Sequence, residues 1–347
     1  MNVAILGCGG MGRLNAQMAV DCGQKVSVCA DTVRPAAIRL AKEFGARAVN
    51  DPESAIMAKD VDIVVITTPT TTHEALVATA AAAGKHIFCE KPFARTSAQC
   101  RRAIAAARKG GVNLFVGHVV RYFQEFECLR AQVQSGAIGE PGWAKLYRGG
   151  IYPGAPGSWF RDYDQSGGVT LDCMIHDLDW LRYVFGEPER IYCQALMRKA
   201  PTQMDYSQVT MRMKSGLIAT VIGTWAHPSG FKVKVEICGE SGMLQFDSTD
   251  APFRAEARQT AAGPTMIVPS NPVSVSPYQL EWQDFINWIE GKSLPRVTAR
   301  DALRAVEMAE AALSKASEIY KSTYEDMKKA GKLAAGCKPA VEKGVDY

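Results

Sequence analysis

The chain has 347 residues, 47% hydrophobic and 22% charged, with a formal net charge of +4. This is a globular composition, and the length suits two domains better than one core. The small charge and the absence of a dense basic block argue against a nucleic-acid partner, and no apolar run reaches the roughly 18 residues of a membrane span. Met1 to Leu6 run straight into glycines, without the features of a signal peptide. The ten cysteines are scattered, with no C-x-x-C pair and no histidine cluster, so reduced thiols, no metal site and a cytoplasmic location are expected.

Short continuous apolar runs at Val3–Leu6, Val26–Ala30, Ile63–Ile66, His86–Cys89 and Leu114–Gly117 read as strands buried on both faces. Helices are predicted between them at Leu14–Cys22, Arg34–Phe44, Thr72–Ala83 and Ser97–Arg108. Repeated βα units predict an α/β Rossmann domain over residues 1–120. Next come a helix at Glu125–Ser135, a strand at Ala144–Arg148, a loop rich in Gly, Pro, Trp and Asp at Gly149–Gly168, and a helix at Asp172–Phe185. Five β-prone runs follow, at Ile191–Met197, Gln208–Met213, Ile218–Thr224, Lys232–Cys238 and Met243–Phe246, with turn signals after Met213 and Cys238. A helix at Tyr278–Ile289 precedes another that starts at Thr298, where Thr298 and Asp301 form a shortened capping box. Residues 121–330 thus read as an α+β C-terminal domain with a mostly antiparallel sheet, and 331–347 as a polar tail without an assigned fold.

Gly7-Cys8-Gly9-Gly10-Met11-Gly12 matches G-x-G-x-x-G between a strand and a helix, and a second strand ends in Asp31 about twenty residues later. Gly7 allows a tight turn, Gly9 close approach of backbone to a pyrophosphate, and Gly12 close helix packing, with the helix N-terminus facing the phosphate charge. Asp31 suits adenosine ribose hydroxyls and repels a 2′-phosphate, so NAD is the first choice. Arg34 reads equally as a partner for the NADP phosphate or as a solvent-facing arginine. Thr67-Thr68-Pro69 ends a strand at the crevice where ligands bind in such sheets, and His73 follows as a helix-start residue near the cofactor.

Cys89-Glu90-Lys91-Pro92 places a charged pair directly against a buried strand. Lys91 there either binds a substrate hydroxyl and stabilises a developing alkoxide, or is a strand-terminal surface lysine. Asp172 and His176 are four apart, which puts them on one face of the predicted helix. They suit proton removal from an alcohol, or form a plain surface pair.

In combination these motifs resemble the Gfo/Idh/MocA family, which includes glucose–fructose oxidoreductase and inositol dehydrogenase. The resemblance runs from the glycine loop to the last long helix. It implies a Rossmann domain followed by an α+β domain whose open sheet packs against another subunit, giving a homodimer or homotetramer. It implies hydride transfer between NAD(P) and a secondary alcohol of a sugar, amino sugar or cyclitol. Lys91, Asp172 and His176 match the catalytic set: His176 as base toward the hydroxyl, Asp172 as its orienting partner, Lys91 on the reacting oxygen. Glu90 would lie beside the nicotinamide end, and Pro92 would follow a cis peptide. His118, Arg121 and Tyr122 resemble the hinge segment and either touch substrate or staple the domains. Trp159, Arg161 and Asp162 lie on a loop that shapes the sugar pocket in similar proteins. Cys173 departs from the hydroxyl residue or glycine that inositol dehydrogenases often carry there, and Trp225–Val233 lacks a pocket tyrosine, which leaves the substrate open. Two other outcomes share the fold: glycosidic cleavage by transient oxidation on NAD, and sugar sensing without catalysis.

Overall fold

The computed structural model describes residues 1–153, 158–196, 206–250 and 275–329, without the side chains of residues 161, 229 and 317–329. Two compact units emerge, one from Met1–Gln124 with Ser270–Arg304, the other from Glu125–Pro269 with Ala305–Tyr347.

The first unit opens with β1 (Asn2–Leu6), α1 (Gly10–Asp21), β2 (Lys25–Ala30), α2 (Arg34–Phe44), β3 (Arg47–Val49), α3 (Pro52–Ile56), β4 (Ile63–Ile66), α4 (His73–Ala82), β5 (His86–Glu90), α5 (Ser97–Gly110) and β6 (Leu114–Gly117). The sheet order is β3-β2-β1-β4-β5-β6, and every pairing is parallel. Strands β1, β4 and β6 are nearly or fully buried, which explains their unbroken apolar runs. β3 and α3 carry no such signal. β3 is a three-residue edge strand with little burial, and α3 is fixed by Asp51, whose carboxylate accepts from the Glu53 and Ser54 amides.

The second unit contains α6 (Gln124–Gln134), β7 (Pro141–Ile151), α7 (Tyr163–Ser166), α8 (Gly168–Asp172), α9 (Ile175–Phe185), β8 (Pro188–Leu196), β9 (Tyr206–Met213), β10 (Ile218–Thr224), β11 (Ala226–Gly239) and β12 (Met243–Asp247). Its sheet order is β12-β11-β7-β10-β9-β8, with β7 and β10 parallel and all other pairs antiparallel. β7 runs past the predicted loop boundary at Gly149. A Cβ at Gly149 would meet the Tyr147 ring, and one at Gly150 would meet Phe231, so these glycines are strand positions covered by aromatic rings.

The predicted helix Asp172–Phe185 is broken. α8 ends at Asp172, the Met174 amide reaches back to Val169 O, and α9 starts at Ile175. Met174 packs on bare backbone at Gly223 of β10, where a Cβ would clash with its thioether. Asp172 and His176 therefore do not share one face of a continuous helix, and the i, i+4 argument is corrected.

Residues 275–304 return to the first unit as α10 (Pro277–Ile289) and the start of α11 (Ala299–Lys329). Trp282, Phe285, Ile286 and Ile289 recur at helical spacing and face the core that holds Val3, Ile5, Phe88 and Phe115. The Trp282 ring stacks on Phe88 with centroids 5.2 Å apart and planes 10° from parallel. The first unit extends to 124 and recruits a distant segment, because α10 buries its apolar stripe there. Thr298 and Asp301 form the anticipated cap, Asp301 N donating to Thr298 Oγ1 at 3.1 Å and Thr298 N to Asp301 Oδ2 at 3.0 Å. The Met197 end of the predicted strand Ile191–Met197, the loop at 154–157 and the tail from 331 lie outside the described residues.

Candidate active site

The carboxyl ends of β2, β1, β4 and β5, neighbours in that order, carry Asp31, the glycine loop, Thr67–Pro69 and Glu90–Lys91. Gly7 has φ +91°, and a Cβ there would lie 2.7 Å from Thr67 O. A Cβ at Gly12 would lie 1.9 Å from Gly7 O, so α1 can start here only from a glycine. Gly9 differs: a Cβ would find nothing within 4 Å. The fold does not need glycine at that position, and its bare backbone suits a group approaching from outside. No side chain caps α1 and no acid stands in its first turn, which leaves the positive end of the helix to an anion. Met11 lies in that first turn, half-buried.

The Asp31 carboxylate accepts from the Cys8 amide at 2.7 Å and from the Val33 amide at 2.7 Å. Those bonds occupy two of about four acceptor positions, which leaves capacity for ribose hydroxyls. Arg34 is exposed at the first turn of α2. Thr67 Oγ1 donates to Gly7 O at 2.7 Å and fixes the loop to β4. Thr68 and Thr72 share a hydroxyl contact of 2.6 Å, and Thr72 donates to Pro69 O at 2.8 Å. Donors, space and an open helix end fit a dinucleotide.

His73 is 1% exposed. Its Nε2 faces Thr68 O at 2.9 Å, and its Nδ1 faces Pro92 O at 3.0 Å. The ring works inside the fold, joining the Thr68 and Pro92 loops, and burial holds its pKa below the usual value despite those carbonyls. The Lys91–Pro92 peptide is cis. Glu90 is buried: its Oε1 accepts from Asn15 Nδ2 at 3.0 Å and its Oε2 from Lys91 N at 3.2 Å. Burial holds the Glu90 pKa above its usual value, although the Asn15 bond, the Lys91 charge and the Lys91 amide pull it down.

Arg121 and Tyr122 are 2% and 3% exposed. Arg121 Nη1 donates to Arg296 O at 2.9 Å, and Arg296 Nη1 returns to Arg121 O at 2.8 Å. Tyr122 Oη donates to Asp284 Oδ2 at 2.6 Å. These bonds lie within the first unit and fasten residues 284–296 to the turn after β6. His118 is buried beside it.

In the second unit, Asp172 and His176 are both half-buried on either side of the helix break. The next residue, Asp177, makes a buried two-pronged pair with Arg148 of β7, at 2.8 and 2.7 Å. This pair fixes the start of α9, and with it the backbone that carries His176. Cys173 packs with Tyr163, Val169, Trp225 and Leu313. Trp159 stacks on Phe160 at 4.0 Å. Asp162 caps α7 through the Asp164 amide and accepts from Gln165 Nε2 at 2.7 Å. The Arg161 side chain lies outside the described residues. Among the described residues no three His, Cys, Asp or Glu groups are placed to hold a metal, and no helix is long and apolar enough to cross a membrane.

Residues 1–118 match the model of the oxidoreductase family with an NAD-binding Rossmann fold, and residues 126–245 match the GFO/IDH/MocA C-terminal domain. Myo-inositol 2-dehydrogenase of Thermotoga maritima is 30% identical over 257 residues, 72% of this chain and 75% of that protein. The chain belongs to the Gfo/Idh/MocA oxidoreductase family. Its first unit is the NAD-binding domain. Another relative, scyllo-inositol 2-dehydrogenase (NAD(+)) of Bacillus subtilis, is 28% identical over 319 residues, 89% of this chain and 92% of the relative. The structure of a myo-inositol dehydrogenase from Corynebacterium glutamicum superposes with a TM-score of 0.76 at 24% identity, covering 92% of this chain and 97% of that one, which shows the shared fold.

For this family member, sequence reasoning missed Asn15, Arg148, Glu281 and Asp284. Glu281 did leave a signal. It lies on the apolar stripe of α10, between Tyr278 and Phe285, where an acid is out of place unless it is buried for a reason.

Proposed function

We propose that this enzyme oxidises a secondary alcohol of a small polyol, sugar or cyclitol, with Lys91, Asp172 and His176 acting on the reacting group. The observation that carries the reading is the Glu90–Lys91 pair, held at the same sheet edge as a glycine loop whose Gly9 is open to an outside group. The names of the inositol dehydrogenase relatives support the substrate class.

Bound NAD would supply the hydride acceptor; Gly7, Gly9, Met11, Gly12, Asp31, Thr68 and Pro69 would hold it, and Asp31 favours it over NADP. Lys91 donates to the hydroxyl oxygen and stabilises its developing negative charge. His176 takes the hydroxyl proton, so that CH–OH becomes C=O with loss of one hydride and one proton. Asp172 orients the imidazole. Trp159 offers an aromatic face to the C–H side of a ring.

The open face of the second sheet supports self-association as a homodimer or homotetramer. Tyr192, Leu196, Ile218 and Met243 stand exposed on it, a set of apolar side chains that a subunit contact would cover. Light scattering on the purified protein reads the assembly directly.

The deciding experiment is a panel of polyols and sugars with NAD and with NADP, read at the reduced-nicotinamide absorbance. Turnover with NAD is expected. On the best substrate, Lys91→Ala and His176→Ala lower kcat by roughly 10²–10⁴-fold while NAD affinity changes by less than about threefold. Parent-like kcat in both variants would reject the assigned roles. Release of a glycosidic leaving group without accumulation of reduced nicotinamide would replace net oxidation by transient oxidation.

A further inference from the structure

Glu281, on α10, is 1% exposed, and its Oε1 has no hydrogen-bond partner among the described residues. The titratable groups around it are Glu90 at the end of β5, Asp284 on its own helix and Tyr122 in the turn after β6. α1 presents the neutral carboxamide of Asn15, which accepts from the Trp282 indole at 2.8 Å. Of the cations on these neighbours, Arg296 stacks over the Tyr122 ring at 4.8 Å, and the Lys91 charge acts on Glu90.

The three carboxyls differ in their donors. Glu90 receives Asn15 Nδ2 and the Lys91 amide. Asp284 receives the Tyr122 hydroxyl and the Arg296 amide, at 2.6 and 2.7 Å. Hydrogen bonds donated to a carboxylate stabilise its charged form. Glu281 Oε1 has none, in a site where water cannot screen the charge.

We propose that Glu281 is a positioning residue held as a neutral carboxylic acid, whose neutrality leaves Glu90 as the anion beside Lys91. Burial pushes the Glu281 carboxyl well above its usual range, and the charges of Glu90 and Asp284 push it further, in agreement with the donor count. A second buried anion here would drive Glu90 toward protonation and weaken the pull on Lys91. The consequence for turnover rests on the function proposed above, whereas the protonation state does not.

Glu281→Gln is the test, because glutamine reproduces the neutral acid and cannot ionise. A group whose pKa is raised on folding binds its proton more tightly in the folded state. The parent therefore loses stability as pH rises from the ordinary glutamate value toward the raised one. The melting temperature of Glu281→Gln relative to the parent should climb by roughly 2–4 °C between pH 6 and pH 8. A flat difference overturns the proposal. Infrared spectra of the parent at neutral pH should show the C=O stretch of a buried carboxylic acid, and its absence overturns the proposal even if the variant fails to fold. In turnover, the ratio of variant to parent kcat should rise at least threefold from pH 7 to pH 10, as Glu281 ionises in the parent alone. A constant ratio overturns the positioning role. Failure of the dehydrogenase reading would remove only this last arm, since melting and infrared need no substrate.

Discussion

Asn15 connects the helix of the glycine loop to Glu90, its side-chain amide donating to Glu90 Oε1 at 3.0 Å. The same amide donates to Met11 O, and its oxygen accepts from the Trp282 indole. One small residue thus ties loop, strand end and returning helix. Asn15→Ala would leave a buried carboxylate oxygen and a buried indole N–H without partners. It should cost about 2–3 kcal/mol in urea unfolding. A loss below about 0.5 kcal/mol would mean that these bonds are readily replaced.

The glycines at 9 and 12 should separate folding from binding. Gly12→Ala forces a Cβ into Gly7 O and should lower the melting temperature by several degrees, roughly 4 °C or more. Gly9→Ala meets nothing inside the fold, so its melting temperature should stay near that of the parent. Its NAD affinity should fall about tenfold or more, corresponding to roughly 1.4 kcal/mol, in a calorimetric titration. Equal NAD affinity in Gly9→Ala and parent would place the pyrophosphate elsewhere.

The Arg148–Asp177 pair is buried on both sides, with side-chain exposures of 6% and 1%. Removing one partner strands the other charge. Asp177→Leu or Arg148→Met alone should therefore cost about 3–5 kcal/mol. The double variant should recover most of that loss, because neither charge then remains buried. Denaturant unfolding of the four proteins decides it, and simple additivity would contradict the pairing.

His73 gives the first unit a dependence on acid. Its folded pKa is depressed by burial, so its contribution is complete above the unfolded value near 6.5 and is lost as pH falls through the depressed one. His73→Gln cannot titrate. The stability advantage of the parent over this variant should shrink between pH 7 and pH 5 in matched thermal melts. An advantage that grows on acidification would show that the carbonyls of Thr68 and Pro92 outweigh burial.

The sequence by itself determined five of the six Rossmann strands. Continuous apolar runs mark parallel strands because both sheet faces are covered, and Gly7, Gly12 and Asp31 are legible because local backbone geometry demands them. The Thr298–Asp301 cap was legible for the same reason: its bonds join residues three apart. Tertiary structure alone decided the rest. The break between Asp172 and His176 depends on Met174 meeting Gly223, a contact across distant sequence. The roles of Arg121 and Tyr122 depend on Arg296 and Asp284, more than 150 residues away. The protonation of Glu281 depends on which donors reach three carboxyls from four separate elements. Periodicity records which face of an element is apolar, but the partner that face meets, and the charge that partner permits, is fixed only when distant segments pack.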